Sequence, residues 1–342
     1  MKKKITIKDI ARIAEVSIGT VDRVIHNRGR VSEKALQRIN TVIKELDYRP
    51  NPLARTLKNN VVYHIQVLIP DPAEDPYWMP CEQGIREIMN EYEAFDIDVS
   101  LYFYNPSDPK SLSSIGNDII RNAPDAFLFV PLFEKESEHL SIKLNEKGIL
   151  VGTFNSSFTK HAGHYVGQDL FLSGRVAAKL LYDLVSPSST IGIIHINEAI
   201  NNAVHMQQKE KGFRSFFKDV ENEHQVLTKT MNTDGIEEAL RYLHETRKVD
   251  SFFVTTSKAY ELASTLERMN IKTVVVGYDL LPENIECLQQ NKIHFLIHQA
   301  PKLQASLSLK GLMEKLLFNK DFPLQQLLPI EIVNSENVKS YL

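Results

Sequence analysis

The chain has 342 residues, 43% of them hydrophobic, and a formal net charge of −3. That length exceeds what one hydrophobic core usually holds, so more than one domain is expected. The composition is that of an ordinary globular protein and excludes disordered, collagenous and disulfide-stapled classes. The charge is unevenly spread. Residues 1–60 hold 14 Lys+Arg against 6 Asp+Glu, a net of +8, and the rest of the chain carries −11. A small basic head on a larger acidic body points to a polyanion-binding module joined to something else.

Several function classes drop out next. No run approaches the roughly 18 apolar residues of a spanning helix. Lys2, Lys3 and Lys4 are followed by the charged stretch Ile5-Thr6-Ile7-Lys8-Asp9 rather than the apolar core of a signal peptide, so a cytoplasmic location is expected. Cys81 and Cys287 are far apart and outside any CxxC pair, which reads as two reduced, buried thiols. No GxxxxGK[ST] loop, GxSxG elbow or HExxH helix occurs, and the 11 His are scattered. Neither a metal nor a cofactor is expected, and no nucleophile is paired with a base, so no enzyme is expected.

The head reads as three helices. Thr6 precedes Ile7, Ile10, Ala11, Ile13 and Ala14, whose spacing makes one face of a helix over about 7–14. Thr6 and Asp9 have the form of a capping box. Glu15-Val16 makes a turn, and Ser17 caps a second helix over about 17–25. Val21 and Val24 face inward there, while Ile18, Gly19, Asp22 and Arg23 face outward, as a groove-reading helix requires. A third helix, capped by Ser32, buries Ala35, Leu36, Ile39, Val42, Ile43 and Leu46. Asp47-Tyr48-Arg49-Pro50 ends it, because the residue before a proline is pushed out of the helical region.

From His64 the period changes. Strands are predicted over 64–70, 97–103, 126–130, 149–153, 190–196, 226–229, 251–254, 273–277 and 294–298. Helices are predicted between them over 79–92, 112–122, 136–146, 170–184, 204–218, 235–245, 259–269, 282–290 and 302–317. Strict alternation of this kind makes doubly wound parallel sheets with helices on both faces. The body is too long for one such sheet and fits two lobes. Ligands in such sheets bind outside the carboxyl ends of the strands, which places them in the cleft between lobes.

The head text is specific: Ile5-Thr6-Ile7-Lys8-Asp9-Ile10-Ala11, then Ala14-x-Val16-Ser17-x-x-Thr20-Val21-x-Arg23-Val24, Asn27, and Tyr48-Arg49-Pro50-Asn51. Pro52 to Lys58 follows. Residues 5–58 resemble the DNA-binding head of the lactose/galactose/purine repressor family, hinge helix included. The resemblance implies base contacts from Ile18 and Gly19 and a guanine contact from Arg23. It implies phosphate contacts from Thr6, Ser17, Thr20 and Asn27. Leu57 would wedge into the minor groove, flanked by Ala54 and Arg55. Asp22 departs from the family's usual serine. It either accepts from a cytosine amino group or orients Arg23 or Arg12 by ion pairing.

The body resembles the periplasmic sugar-binding protein superfamily, more softly. The text that carries this is Asp75-Pro76-Tyr77-Trp78, Gly84-Ile85-Arg86, Tyr165-Val166-Gly167-Gln168-Asp169 with Gly174-Arg175, Lys211-Gly212-Phe213, Val276-Gly277-Tyr278-Asp279 and Gln299-Ala300-Pro301. The resemblance implies crossings between lobes near 155–165, 291–294 and 320–326. One lobe would then hold about 61–160 and 294–322, and the other about 161–293 and 323–342.

Each candidate effector contact carries an alternative. Tyr77 and Trp78 either stack on a sugar face or pack the lobe. Asp279 accepts from sugar hydroxyls or caps the helix near Pro282. Lys209 stands where the family has a gripping arginine, or is a solvated helix lysine in the run Lys209-Glu210-Lys211. Asn155 lies where relatives often carry Asp, and Gln299 stands at the end of a strand. Gln168-Asp169 reads mainly as a helix cap and lobe seam.

The expected whole has a helix-turn-helix head over 1–49, a hinge over 50–60 and a two-lobed effector and dimerisation domain over 61–342. It would be a transcriptional regulator, expected to act as a repressor. It would bind a pseudo-palindromic double-stranded DNA operator as a homodimer, because one reading helix covers only a half-site. Its effector would be a sugar, or alternatively a purine or another metabolite. No leucine heptad follows Asp321, so no tetramer-forming helix is expected.

Overall fold

The computed structural model describes residues 7–25, 29, 31–46, 62–156, 163–197, 202–220 and 224–342. It divides into two compact units, Met1–Val61 and Val62–Leu342. Thr6, Asn27, Ala54, Arg55, Leu57 and the predicted hinge lie outside the described residues.

In the first unit the helices are α1 (Ile7–Ile13), α2 (Ile18–Ile25) and α3 (Glu33–Glu45). Ile10, Ala11, Ala14, Val21, Ile39 and Val42 are buried together between them. Glu15, at φ 52°, reverses the chain after α1. The Ser17 hydroxyl accepts from the Thr20 backbone N–H at 3.1 Å, which satisfies one orphan donor of α2. Two expectations need correction. Ser32 occupies the N-cap position of α3, yet its hydroxyl makes no capping bond. Leu36 was predicted inside and is exposed, because α3 buries only a narrow stripe centred on Ile39 and Val42.

The second unit holds two six-stranded sheets. The first contains β1 (Tyr63–Pro70), β2 (Ile97–Tyr104), β3 (Ala126–Phe129), β4 (Leu150–Phe154), β5 (His164–Gly167) and β11 (Gln325–Leu327). Its order is β11-β5-β4-β3-β1-β2, and every pairing is parallel. The second contains β6 (Thr190–Ile196), β7 (Gln225–Met231), β8 (Val249–Val254), β9 (Val274–Tyr278), β10 (Phe295–His298) and β12 (Glu331–Val333). Its order is β12-β10-β9-β8-β6-β7, parallel except for β12 on β10. Both sheets therefore wind outward from their first strand in the same way. Central strands such as β3 are buried along their whole length, which is why they read as unbroken apolar runs.

Helices cover both faces: α4 (Met79–Glu91), α5 (Pro109–Arg121), α6 (Glu134–Glu146), α7 (Leu170–Tyr182), α8 (Val204–Asp219), α9 (Ile236–Arg241), α10 (Ala259–Arg268), α11 (Pro282–Gln289) and α12 (Pro301–Phe318). Side chains start several of them. Asp108 accepts from the Lys110 N–H at 3.0 Å and Asp169 from the Leu172 N–H at 2.8 Å. α7 and α8 approach so closely that a Cβ at Gly174 would overlap the Lys209 carbonyl, and one at Gly212 would overlap the Phe171 carbonyl. That contact sets where α8, and with it Lys209, stands.

The lobe boundaries differ from those predicted. β5 lies in the first sheet, so the first crossing follows Gly167. β10 lies in the second sheet, so the next follows His298. β11 returns to the first sheet and β12 to the second, so the last crossing falls between Leu327 and Glu331. β5 and β11 were missed because each is short, and three or four residues carry no readable period.

Gln168 ties these crossings together. Its Nε2 donates to the His298 carbonyl at 2.9 Å and the Pro329 carbonyl at 2.6 Å, while Tyr165 Oη donates to the Gln168 carbonyl at 3.0 Å. The seam-and-cap reading of Gln168-Asp169 is the one the structure bears out.

Candidate functional site

The cleft between the two sheets is lined from the carboxyl ends of their strands. The first sheet supplies Glu74, Asp75, Tyr77 and Trp78 after β1, Ser107 after β2, Leu132 after β3 and Asn155 after β4. The second supplies Asn197 after β6, His205 and Lys209 from α8, Thr255 to Lys258 after β8, Asp279 after β9 and Gln299 after β10. In each sheet the strand order reverses beside the first strand, and the loops there open the crevice that such folds use for ligands.

Local backbone aims these groups. Asn155, Asn197 and Asp279 have φ of 67°, 58° and 65°. Asn and Asp tolerate this left-handed region because their short polar side chains bond locally. Each stands just past a strand, so the reversed backbone turns its side chain across the sheet's end. Asp75 accepts from the Tyr77 N–H at 3.1 Å and so starts the single turn Pro76–Trp78. That turn folds both rings into the cleft, edge to face with centroids 4.8 Å apart.

All the predicted effector residues line this one cleft. Asn155 Nδ2 donates to Tyr77 Oη at 2.5 Å, and the Asn155 N–H donates to Gln304 Oε1 of α12 at 2.9 Å. Asp279 accepts from the Gln299 N–H at 3.2 Å and from Gln299 Nε2 at 2.7 Å. It does not cap α11, whose N-cap is Leu281. Lys209 is 2% exposed, so the solvated-lysine alternative is wrong. Its Nζ lies 3.6 Å from the centroid of Tyr278 and donates to the Thr255 carbonyl at 3.1 Å.

Burial dominates the electrostatics. It raises the Asp279 carboxyl above its usual range, although Lys209, His298 and Gln299 pull the other way. It also raises the Tyr77 hydroxyl and the Cys81 thiol, and the Asp279 charge adds to both. Asp279 and Lys209 are thus both held out of water in one wall of the cleft, while Lys258 and Asp75 face each other across its mouth at 3.9 Å. On the rim, Asn202 Nδ2 donates to Glu136 Oε2 at 2.8 Å, and Phe133 forms an isolated β-bridge with Ala203. These contacts join the lobes at the rim of the cleft.

Sequence reasoning missed Asn197, His205 and the run Thr255-Thr256-Ser257-Lys258. That run was legible as a polar stretch directly after an apolar strand. Thr256 is 3% exposed, and its hydroxyl has no hydrogen-bond partner among the described residues.

On the head, Ile18, Gly19 and Arg23 are exposed on α2, and Asp22 and Thr20 are half-buried. Arg12 pairs with Asp9 at 3.7 Å.

Comparison with known proteins agrees with both parts. The description "Periplasmic binding protein domain" matches residues 65–320, and "Bacterial regulatory proteins, lacI family" matches residues 6–51. The chain belongs to the periplasmic binding protein domain family and carries a lacI-family head. Catabolite control protein A of Staphylococcus aureus is 28% identical over 174 residues, 48% of this chain and 51% of that protein. The chain thus spans about half the length of the curated relatives it matches. A candidate LacI transcriptional regulator from Bacteroides fragilis superposes with a TM-score of 0.76 at 27% identity, covering 82% of this chain and all of that one. A glucose-galactose binding protein from Geobacillus stearothermophilus shares the fold with a TM-score of 0.71 at 21% identity, over 82% of this chain and 99% of that one. Among the described residues no helix of this chain is long and apolar enough to cross a membrane.

Proposed function

We propose that this chain is a DNA-binding transcription regulator whose cleft takes a neutral, hydroxyl-rich effector, a sugar or sugar derivative. The observation that carries the proposal is a lacI-family head placed before a cleft whose buried wall holds one carboxylate, one ammonium and several amide and hydroxyl groups. A hydroxyl both donates and accepts, so a polyol satisfies such a mixed wall without bringing an unpaired charge into it. Tyr77 and Trp78 offer an apolar ring surface beside these polar groups. Asn155, Lys209, Asp279 and Gln299 are the proposed polar contacts, with Thr256 added. The naming of the relatives as control proteins supports regulation rather than transport.

On the DNA side, Arg23 reads a guanine and Ile18 and Gly19 present an apolar surface to thymine methyls. Ser17, Thr20, Thr6 and Asn27 hold phosphates. Asp22 orients its arginine neighbours or reads a cytosine, while Ala54, Arg55 and Leu57 act at the minor groove. The chain acts as a homodimer on a pseudo-palindromic operator and represses. Effector-driven movement of the lobes changes DNA affinity only as far as the effector's affinity differs between the two states.

Selection of bound sites from random DNA by the full chain tests this. Recovery of paired half-sites, with affinity falling steeply as salt rises, is the expected result. Arg23→Ala should cost about 1–3 kcal/mol and relax one base position. Unselected sequences together with a flat salt response would reject DNA recognition by the head. Calorimetry with D-glucose, D-allose, myo-inositol and hypoxanthine separates the effector classes. Binding of hypoxanthine alone would favour a purine stacked on Trp78 and reject the sugar.

A further inference from the structure

The ammonium of Lys209 sits on a long flexible stem, and the carbonyl that accepts from it belongs to Thr255, at the end of β8. Behind Thr255, away from the cleft, runs a chain of polar side chains that reaches the surface of α8. Arg214 Nε donates to Glu210 Oε1 at 2.7 Å, and Thr228 Oγ1 donates to the same oxygen at 2.5 Å. The other carboxylate oxygen meets His195 Nε2 at 3.0 Å, and His195 Nδ1 meets Thr255 Oγ1 at 2.6 Å. His195 is fully buried on β6 and does not line the cleft.

Proton counting fixes the donor at the Glu210 end of this chain. Burial pushes the Glu210 carboxyl up, but the hydrogen bonds from His195, Thr228 and Arg214 outweigh it and bring it down to about 2. Glu210 is therefore an acceptor only, so His195 Nε2 carries the hydrogen. At the other end of the ring Nδ1 bonds the Thr255 hydroxyl, which also reaches the Ile194 carbonyl at 3.3 Å. Thr255 is thus anchored by its side chain at the residue whose carbonyl holds Lys209 and whose neighbour is Thr256.

We propose that His195 is a positioning residue for the effector cleft, anchoring Thr255 so that its carbonyl fixes the Lys209 ammonium and its peptide fixes Thr256. It touches no ligand and acts only through these two. The consequence for binding rests on the cleft being the effector site, as proposed above; the consequence for Lys209 does not.

Two substitutions separate the ends of the chain. In His195→Asn the side-chain amide reaches the Nδ1 position and still bonds the Thr255 hydroxyl, while the bond to Glu210 is lost. In His195→Gln the amide nitrogen reaches the Nε2 position and still donates to Glu210, while the bond to Thr255 is lost. The first readout needs no ligand. A buried ammonium exchanges slowly and gives its own proton–nitrogen signal in protein labelled at lysine, assigned by its absence in Lys209→Met.

That signal should persist unmoved in His195→Asn and shift or broaden in His195→Gln. Thr255→Val, which keeps the shape and removes the hydroxyl, should reproduce the change and keeps the test open if His195→Gln does not fold. The same split should appear in affinity for myo-inositol or D-glucose, followed by the fluorescence of Trp78, the chain's only tryptophan. Affinity should fall about tenfold in His195→Gln and less than twofold in His195→Asn. An ammonium signal unchanged in both histidine variants, changed equally in both, or changed only in His195→Asn would overturn the proposal. If neither polyol binds the wild type, it is the sugar reading that fails, and the ammonium signal still decides the role of His195.

Discussion

Replacing Thr256 by valine is expected to raise the stability of the ligand-free protein while weakening effector binding. The two side chains have nearly the same shape, so packing around this residue, 3% exposed, changes little. What changes is a buried hydroxyl with no partner among the described residues. Leaving such a group unpaired costs about 1–3 kcal/mol, and a methyl group carries no such cost. At the lower end of that range the variant gains about 1 kcal/mol, or about 2–4 °C in Tm for a domain of this size.

In the complex the sign reverses. An effector hydroxyl that met Thr256 now faces a methyl group and is itself unpaired, a loss of about 1.4–2.8 kcal/mol, or ten- to hundredfold in Kd. Differential scanning fluorimetry without ligand and calorimetric titration with the polyol that binds the wild type measure the two halves. Thr256→Ser should restore most of the affinity. A fall in ligand-free Tm together with an unchanged Kd would show that the hydroxyl has a structural partner, and the reasoning would fail.

Asp279→Ala removes the buried carboxylate whose charge acts on the Lys209 ammonium and should destabilise by about 3–5 kcal/mol in urea unfolding. A loss under about 1 kcal/mol would mean that Lys209 is balanced elsewhere. Gly174→Ala drives a methyl group into the Lys209 carbonyl. It should cost about 3 kcal/mol, the upper end for overpacking, and lower effector affinity as well, because the helix carrying Lys209 must move. Equal Tm and Kd in variant and wild type would refute that close approach. Glu210 stays ionised down to about 2, below its usual value near 4.5, so its stabilisation is complete above the usual value and is lost as pH falls toward 2. The Tm gap between wild type and Glu210→Gln should therefore be full at pH 6 and shrink on acidification below pH 4.5. A gap independent of pH would contradict this.

The head shows how far one helix can be read alone. Its apolar spacing located α1, α2 and α3 within a residue or two, and Ser17 caps α2 as a hydroxyl before an apolar run should. Leu36 escaped because periodicity says which residues share a face but not how wide a stripe the neighbouring helices cover. In the body, strand-helix alternation disclosed both sheets and their parallel character. The strand-end positions then picked out Tyr77, Trp78, Asp279 and Gln299, and the family resemblance Asn155 and Lys209, and all six meet in one cleft. That worked because parallel sheets always gather the carboxyl ends of their strands on one side.

The chain by itself determined the basic head, the alternating body and the polar residues at strand ends, since each follows from charge, period or spacing along a short stretch. Only the tertiary structure decided the rest. It placed β5 and β11 in the first sheet, because strands of three or four residues are defined by their partners and not by their own pattern. It turned Lys209 from a lysine in a charged run into a buried cation, because α7 and α8 meet through two glycines. It also joined Glu210, His195 and Thr255 into one chain, although these residues stand 15 and 60 positions apart. Hydrogen bonds across such separations leave no periodic trace in the sequence and exist only once the sheet has brought the strands together.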